Sequence, residues 1–396
     1  MTEPDRPPRR ERRAGRVPGA IAIAALGWSV GTAAGPAVSA GEAGIAVEDT
    51  VEYFTPTGPL ARLNLAPYGD LRLRDDFVHA RPGATADLHV QPAALRAGLA
   101  WLPPRTGLRL EAGLRAALSS DRNRDPWVVF RNETPDTVEW DRAQLQWTSP
   151  AGDRVLGGKT RLPLRLSEML WDDDLRPVGA GAVVRLGWFR TDALGLALGW
   201  FNRSRLGEDG RLGAGQLSVR VRGDADTEAE ATLSYLRFDH LDVLARRGLA
   251  RQNATVATAQ GPAYVADFEP IDLQIAGHAR IGPVPVTARL DLIRNLGFDR
   301  DRDGARARLA LGGGSARSGL EVGWVYQRIE REALPGAFNS DDWWFHTRMR
   351  GHHAWLQVGT DRPASIRVAG FIERRDDVSH DTRRLTAELR LRLPEL

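Results

Sequence analysis

The 396-residue chain has no cysteine, three methionines, five tyrosines and a single lysine, Lys159. Without cysteine there is no disulfide scaffold and no Cys-based zinc site, and passage through an oxidising periplasm leaves nothing to crosslink. With one lysine, almost all cationic work falls to guanidinium groups, which hold carboxylate and phosphate in a planar fork. Long apolar runs are scarce as well. Mean hydropathy is −0.34 and hydrophobic content 42%, too polar for a helical membrane protein. Familiar reaction motifs are missing too. There is no His-Glu-x-x-His spacing around His346, His352 and His353, so these read as solvated or stacked rather than as metal ligands. No Gly-x-Ser-x-Gly motif accompanies the histidines, and Gly312-Gly313-Gly314 lacks the Lys-Ser/Thr ending of a phosphate loop. The reading therefore calls for no enzyme, no metal and no cofactor.

What is present begins with a leader. Arg6, Arg9, Arg10, Arg12, Arg13 and Arg16 precede a small-residue apolar stretch, Ala20–Ala34, and Val38-Ser39-Ala40 offers a cleavage site. This is the order of a secretory signal, residues 1–40. The apolar stretch is too short and too rich in Ala and Gly to span a bilayer comfortably. Its six arginines exceed Glu3, Asp5 and Glu11 by three, which equals the whole chain's +3, so the remainder is neutral. Overall charge then argues for no nucleic-acid partner. Residues 41–68, with Pro56, Pro59 and Pro67, show no sustained period and read as a periplasmic lead-in, Val47–Phe54 being a candidate short strand.

From residue 69 to 396 the chain alternates. In Gly107–Leu118, Leu108, Leu110, Ala112, Leu114, Ala116 and Leu118 fall on one side, and Arg109, Glu111, Gly113 and Arg115 on the other. Side chains of a strand switch faces with period two, so such a stretch has one apolar and one polar face. About sixteen such strands can be counted, starting near Gly69, Ala93, Gly107, Val138, Arg154, Gly179, Ala193, Gly213, Glu228, Ile271, Val284, Gly304, Arg317, Arg350, Ala364 and Arg384. Connections alternate between short (Leu102–Thr106, Ser149–Asp153, Thr191–Asp192, Gly282–Pro283) and long (Ser119–Thr137, Thr160–Pro177, Asp239–Pro270, Glu332–Met349). A soluble sandwich has no reason to shorten every second loop. A barrel across an outer membrane has, since its periplasmic turns are tight and its outer loops long. The expected fold is all-β: a transmembrane antiparallel β-barrel of about sixteen strands, within a range of about fourteen to eighteen.

A cylinder that wide cannot be filled by its own side chains. The polar set must then line a lumen and the apolar set must face lipid, where an arginine at the midplane costs about 2–4 kcal/mol. The inferred wall arginines are Arg72, Arg74, Arg109, Arg115, Arg142, Arg185, Arg220, Arg222, Arg280, Arg289, Arg306, Arg308, Arg390 and Arg392, against Glu111, Glu230, Asp272, Asp291, Glu321 and Glu388. Twelve tryptophans fit aromatic girdles, with Trp101, Trp147 and Trp188 at one interface and Trp140 and Trp200 at the other. The connection 160–178 holds Asp172, Asp173 and Asp174 in a row before Pro177. Folded inward, these carboxylates would oppose the arginine wall at a constriction; folded outward, they would be solvated. Their spacing lacks the alternating ligands and central Gly of a calcium loop.

Several segments in order resemble the porin family of Gram-negative outer membranes: Gly69-Asp-Leu-Arg-Leu-Arg74, Asp141-Arg-Ala-Gln-Leu145, Gly157-Gly-Lys-Thr160, Leu170-Trp-Asp-Asp-Asp-Leu175, Leu233-Ser-Tyr-Leu-Arg-Phe-Asp239, Phe338-Asn-Ser-Asp-Asp-Trp343 and Arg350-Gly-His352. The resemblance spans about residues 69–393. It implies a bacterial outer-membrane location, passive diffusion of small hydrophilic solutes, contact with the lipid bilayer and lipopolysaccharide, assembly by the barrel-insertion machinery, and a homotrimer; the arginine excess on the inferred wall predicts, separately, a preference for anions or for solutes bearing carboxylate or phosphate. The chain departs from the family in ending Leu393-Pro-Glu-Leu396, with no terminal aromatic. A plugged structural or adhesive barrel and a barrel enzyme are the alternatives.

Overall fold

The structure, a computed structural model, describes residues 58–120, 138–186, 191–202, 210–223, 227–313, 319–359 and 364–392, with no side-chain detail for 191–202. The leader, Val47–Phe54, Trp188, the strand start at Arg317 and the C-terminal four residues lie outside the described residues.

The strands are β1 (Leu65–His79), β2 (Leu88–Val90), β3 (Pro92–Trp101), β4 (Leu108–Ser119), β5 (Val138–Thr148), β6 (Arg154–Lys159), β7 (Val178–Leu186), β8 (Thr191–Asn202), β9 (Arg211–Arg222) and β10 (Glu228–Asp239). After them come β11 (Thr255–Thr258), β12 (Gly261–Tyr264), β13 (Pro270–Ile281), β14 (Val284–Asn295), β15 (Asp303–Gly312), β16 (Gly319–Ile329), β17 (Met349–Gly359), β18 (Ala364–Arg375) and β19 (Thr382–Arg392). Each long strand pairs antiparallel with the next. The sheet closes on itself where β19 pairs with β1, from Asp70 opposite Arg392 to His79 opposite Arg383. β2 continues β3 past Gln91 along β1, and β11 and β12 form a separate hairpin inside one long loop. The wall is therefore a barrel of sixteen strands.

Among the described residues, strand starts fall within two residues of the sequence reading except at β1, and one expected turn is strand instead. β1 starts at Leu65, inside the assigned lead-in, because Leu65 to Tyr68 already pair with Trp101 to Gly98. Thr191 and Asp192, read as a turn, sit at the start of β8, where a register shift before Ala193 absorbs the irregularity.

The alternation separates the faces as barrel closure demands. Leu110, Leu217 and Leu290 are 41%, 42% and 41% exposed, whereas Arg96, Glu111 and Arg306 are 2%, 4% and 3% exposed. Apolar side chains point outward, and charged ones are sheltered within. Trp101, Trp140 and Trp147 are exposed near strand ends, as a girdle requires, whereas Trp324 is exposed at the middle of β16.

One interior row shows how closely such a wall packs. Tyr68 is opposite Gly98, and Gly98 is opposite Gly113. The Tyr68 ring lies flat over both glycines, so that a Cβ on Gly98 would fall 2.4 Å from Tyr68 Cζ and one on Gly113 2.3 Å from its Oη. The glycines are required for close approach of the ring, which covers backbone that a side chain would otherwise shield.

Candidate functional site: the barrel interior

All fourteen arginines inferred for the wall stand at inward-facing positions. Arg142 reaches its place by an irregularity. Trp140 faces outward, so on a regular strand Arg142 would too; a register shift opposite Gly113/Leu114 leaves Asp141 as the extra residue, and both Asp141 and Arg142 are buried inside. Arg185 and Arg280 sit exposed at the strand ends away from the long loops. Arg96, Arg367 and Arg384 also face inward and were absent from the sequence inference. Their alternation with Leu95, Ile366 and Leu385, all exposed, is the signal that locates them.

The wall is more evenly charged than the sequence count suggested. Arg72 pairs with Glu388 at 3.1 Å, Arg74 with Asp76 at 2.7 Å, and Arg109 with Glu111 at 2.6 Å. Arg220 pairs with Glu230 at 2.8 Å, Arg289 with Asp291 at 2.6 Å, and Arg390 with Asp70 at 3.6 Å. Asp70, Asp76, Glu139, Asp141, Glu228 and Glu373, all inward, were missing from the sequence inference. Guanidiniums nevertheless face each other in direct register at Arg96 and Arg115, Arg72 and Arg390, and Arg289 and Arg308.

Residues 160–177 fold into the barrel and cross it. At one side Asp174 pairs with Arg115 of β4 at 2.6 Å. Toward the other, Arg165 pairs with Glu230 of β10, the Ser167 hydroxyl donates to Asp291 of β14 at 2.9 Å, and Arg306 of β15 pairs with Glu168. The backbone is held as well: Gln216 and Gln274 each donate to the Arg165 carbonyl, at 2.7 and 2.9 Å. β4 and β14 lie on opposite arcs of the barrel, so the segment spans the interior.

The three aspartates divide their work. Asp174 meets the wall. Asp172 instead accepts the backbone N–H of Asp174 and that of Asp341, both at 2.9 Å, and so ties the crossing segment to the loop 330–348. Burial, together with the charges of Asp174 and Asp341, pushes the Asp172 carboxyl well above the usual carboxylate range. Burial works against Asp174 too, but Arg115, Arg96 and Arg176 outweigh it and hold that carboxyl well below the usual range.

Loop 330–348 also turns inward. Asp342 pairs with Arg74 at 2.8 Å, and Glu373 accepts the Trp344 N–H at 2.8 Å. Asp341 pairs with Arg251 of the loop between β10 and β13 at 3.0 Å. His346, expected to be solvated or stacked, is buried instead; it bonds Asn339 Oδ1 at 2.5 Å and contacts Arg251. Burial first, then the charges of Arg251 and Arg384, lower its pKa and keep the ring neutral. His353 does stack, on Phe371 at 4.0 Å between centroids.

The three inward loops share an apolar core. Met169, Leu170 and Trp171 meet Leu244, Phe268, Leu334, Phe338, Trp343 and Phe345. Trp171 and Phe238 both stack on Phe338, each at 5.3 Å. Alternation cannot reveal this core, because its residues come from loops without a period.

No protein-family model matches the chain, and no curated protein matches it by sequence. Solved structures do. OprB of Pseudomonas putida matches with a TM-score of 0.57 at 9% identity, over 84% of this chain and 94% of that one. The in-vitro folded trimer form of OmpT, an outer membrane protein of Vibrio cholerae, gives 0.51 at 11% identity, over 83% and 99%. OmpF of Salmonella typhi in complex with daunomycin gives 0.50 at 9% identity, over 84% and 99%. The fold is thus a porin-like β-barrel, the architecture of bacterial outer-membrane proteins.

Proposed function

We propose that this chain is an outer-membrane channel through which small hydrophilic solutes diffuse, with a preference for anions, and that residues 160–177 form its constriction. The observation that carries the reading is the course of that segment from Arg115 on one arc to Glu230 and Asp291 on the other. A cross-piece held by charge on both sides narrows a wide barrel. Anion preference is supported by the guanidiniums brought into direct register, Arg96 with Arg115 and Arg289 with Arg308, which concentrate positive charge on two parts of the wall. The fold likeness to porins supports the same reading, as it does the outer-membrane location and contact with lipid. The homotrimer and assembly by the barrel-insertion machinery remain part of the proposal.

A plugged barrel is the second reading, favoured by the apolar core that joins the three loops. Planar-bilayer recording separates the two. A channel gives discrete steps and, under a salt gradient, a reversal potential of anion-selective sign that shrinks as ionic strength rises. Absence of steps from correctly folded protein would establish the plug, and a cation-selective sign would overturn the anion preference.

A further inference from the structure

The crossing segment returns to the wall at Arg176-Pro177, immediately before β7. Arg176 is only 2% exposed. Its Nη1 donates to the carbonyl of Asp173 and, at 2.9 Å, to that of Leu175. The opposite edge of the guanidinium, Nε with Nη2, is the fork that guanidinium geometry offers to a two-oxygen acceptor. Neither of those nitrogens has a hydrogen-bond partner among the described residues. Asp141 Oδ1 stands 3.9 Å from Nε, too far for a hydrogen bond.

Negative charge is in short supply around this fork. Asp141 is buried too, and its Oδ2 lies 3.5 Å from Arg142 Nε without a hydrogen bond. Arg109 and Arg142 share Glu111, at 2.6 and 3.2 Å. Arg96, Arg115 and Arg176 converge on Asp141 and Asp174, with Glu139 opposite Arg115. Arg161 adds a further cation close to Arg176. Guanidinium charge therefore exceeds carboxylate charge in a place sheltered from water, where an uncompensated ion is costly. Burial first, and then the charge of Arg161, push the Arg176 guanidinium down to about 9 against the pull of Asp141.

We propose that the Nε–Nη2 edge of Arg176, with Arg142 and Arg96 beside it, holds a resident small oxyanion of the phosphate class, which fastens the returning limb of the crossing segment to β3–β5. A tetrahedral dianion can give two oxygens to the fork and keep two for the neighbouring guanidiniums. A carboxylate fills the fork alone, and chloride cannot span it. This ligand is retained beside the wall and is not a passing solute. The assignment needs the inward course of residues 160–177 but no conduction.

The chain is refolded in detergent from chloride buffer free of phosphate and sulfate, and heat-modifiable gel mobility confirms the barrel in every variant. Radiolabelled inorganic phosphate is measured by equilibrium dialysis, and hydrogen exchange of residues 160–177 is followed with and without it. Saturable binding of about one phosphate per chain is expected, with slower exchange in that segment. Chloride at equal ionic strength should do neither. Arg176→Lys keeps the charge but removes the fork, and should weaken phosphate about tenfold, the scale of one charge-assisted hydrogen bond. Asp141→Asn removes the carboxylate nearest the same edge and should tighten binding. Arg237→Gln, exposed on the outer face of β10, should leave it unchanged. If Arg176→Lys fails the mobility check, the shift in Asp141→Asn decides alone. Absence of saturable phosphate would overturn the site, as would equal binding by Arg176→Lys and the native chain, or displacement by chloride. Weaker binding in Asp141→Asn would also overturn it, making Asp141 itself the partner of Arg176. A chain that binds phosphate yet gives no conductance steps keeps this site and loses only the channel reading.

Discussion

Asp174 and Asp172 stand two positions apart, share a run of identical residues, and do different things. Asp174 places a full negative charge against Arg115, while Asp172 uses its oxygens to hold two backbone N–H groups. Asp174→Asn should therefore free one end of the crossing segment and remove a charge from the constriction. Open-channel noise should rise and the reversal potential should shift further toward anions. Asp172→Asn should alter selectivity less, since burial already disfavours charge there. Equal shifts from the two variants would refute the division.

The same loops carry a pH dependence whose sign follows from two carboxyls. Burial raises Glu332 to about 7, and burial together with Asp174 raises Asp341 to about 6 against the pull of Arg251. The seated loops thus hold protons that the released loops would give up. Their contribution is full below the ordinary carboxylate range and is lost as pH climbs through about 6 and then 7. Loop protection from protease should fall between pH 4 and 7, and the combined Glu332→Gln and Asp341→Asn variant should flatten that slope. Asp174 and Asp342, both held low, act in the opposite sense and withdraw support only as pH falls below the ordinary range.

At the scale of the strand, the Tyr68–Gly98–Gly113 row tests whether the wall is as tightly packed as its register implies. Gly113→Ala places a methyl against the Tyr68 hydroxyl and should destabilise the barrel by about 1–3 kcal/mol, the usual cost of overpacking. Tyr68→Phe in the same chain removes the atom in conflict and should recover most of that loss. The denaturant midpoint of unfolding measures both. If the second substitution rescues nothing, the ring does not lie over Gly113. The bulge at Asp141 teaches a related lesson. Trp140 and Arg142 were assigned to opposite faces from residue type, and only an inserted residue lets both assignments hold on one strand.

At the scale of the molecule, outward and inward positions one residue apart should behave oppositely. Leu217→Arg puts a guanidinium toward lipid and should cost about 2–4 kcal/mol at the midplane, visible as a lower folded fraction on heat-modifiable gels. Ser218→Arg, facing inward beside Thr232, should fold like the native chain. The reverse order would turn the barrel inside out and end the membrane reading.

Much of this was legible in the chain. Period two, set by strand geometry, separates Leu from Arg along every hairpin, and a one-residue slip would exchange the faces, so the wall and its inward arginines follow from local pattern. The long–short rhythm of connections supplied the strand order. What the sequence could not contain is where aperiodic segments go. The inward turn of 160–177, the burial of His346, the separate duties of Asp172 and Asp174 and the apolar core beneath the mouth arise largely from contacts between residues distant in the chain, such as Ser167 with Asp291, Asp172 with Asp341 and Arg251 with His346. Closure of the barrel brings those partners within reach, and no local period records it.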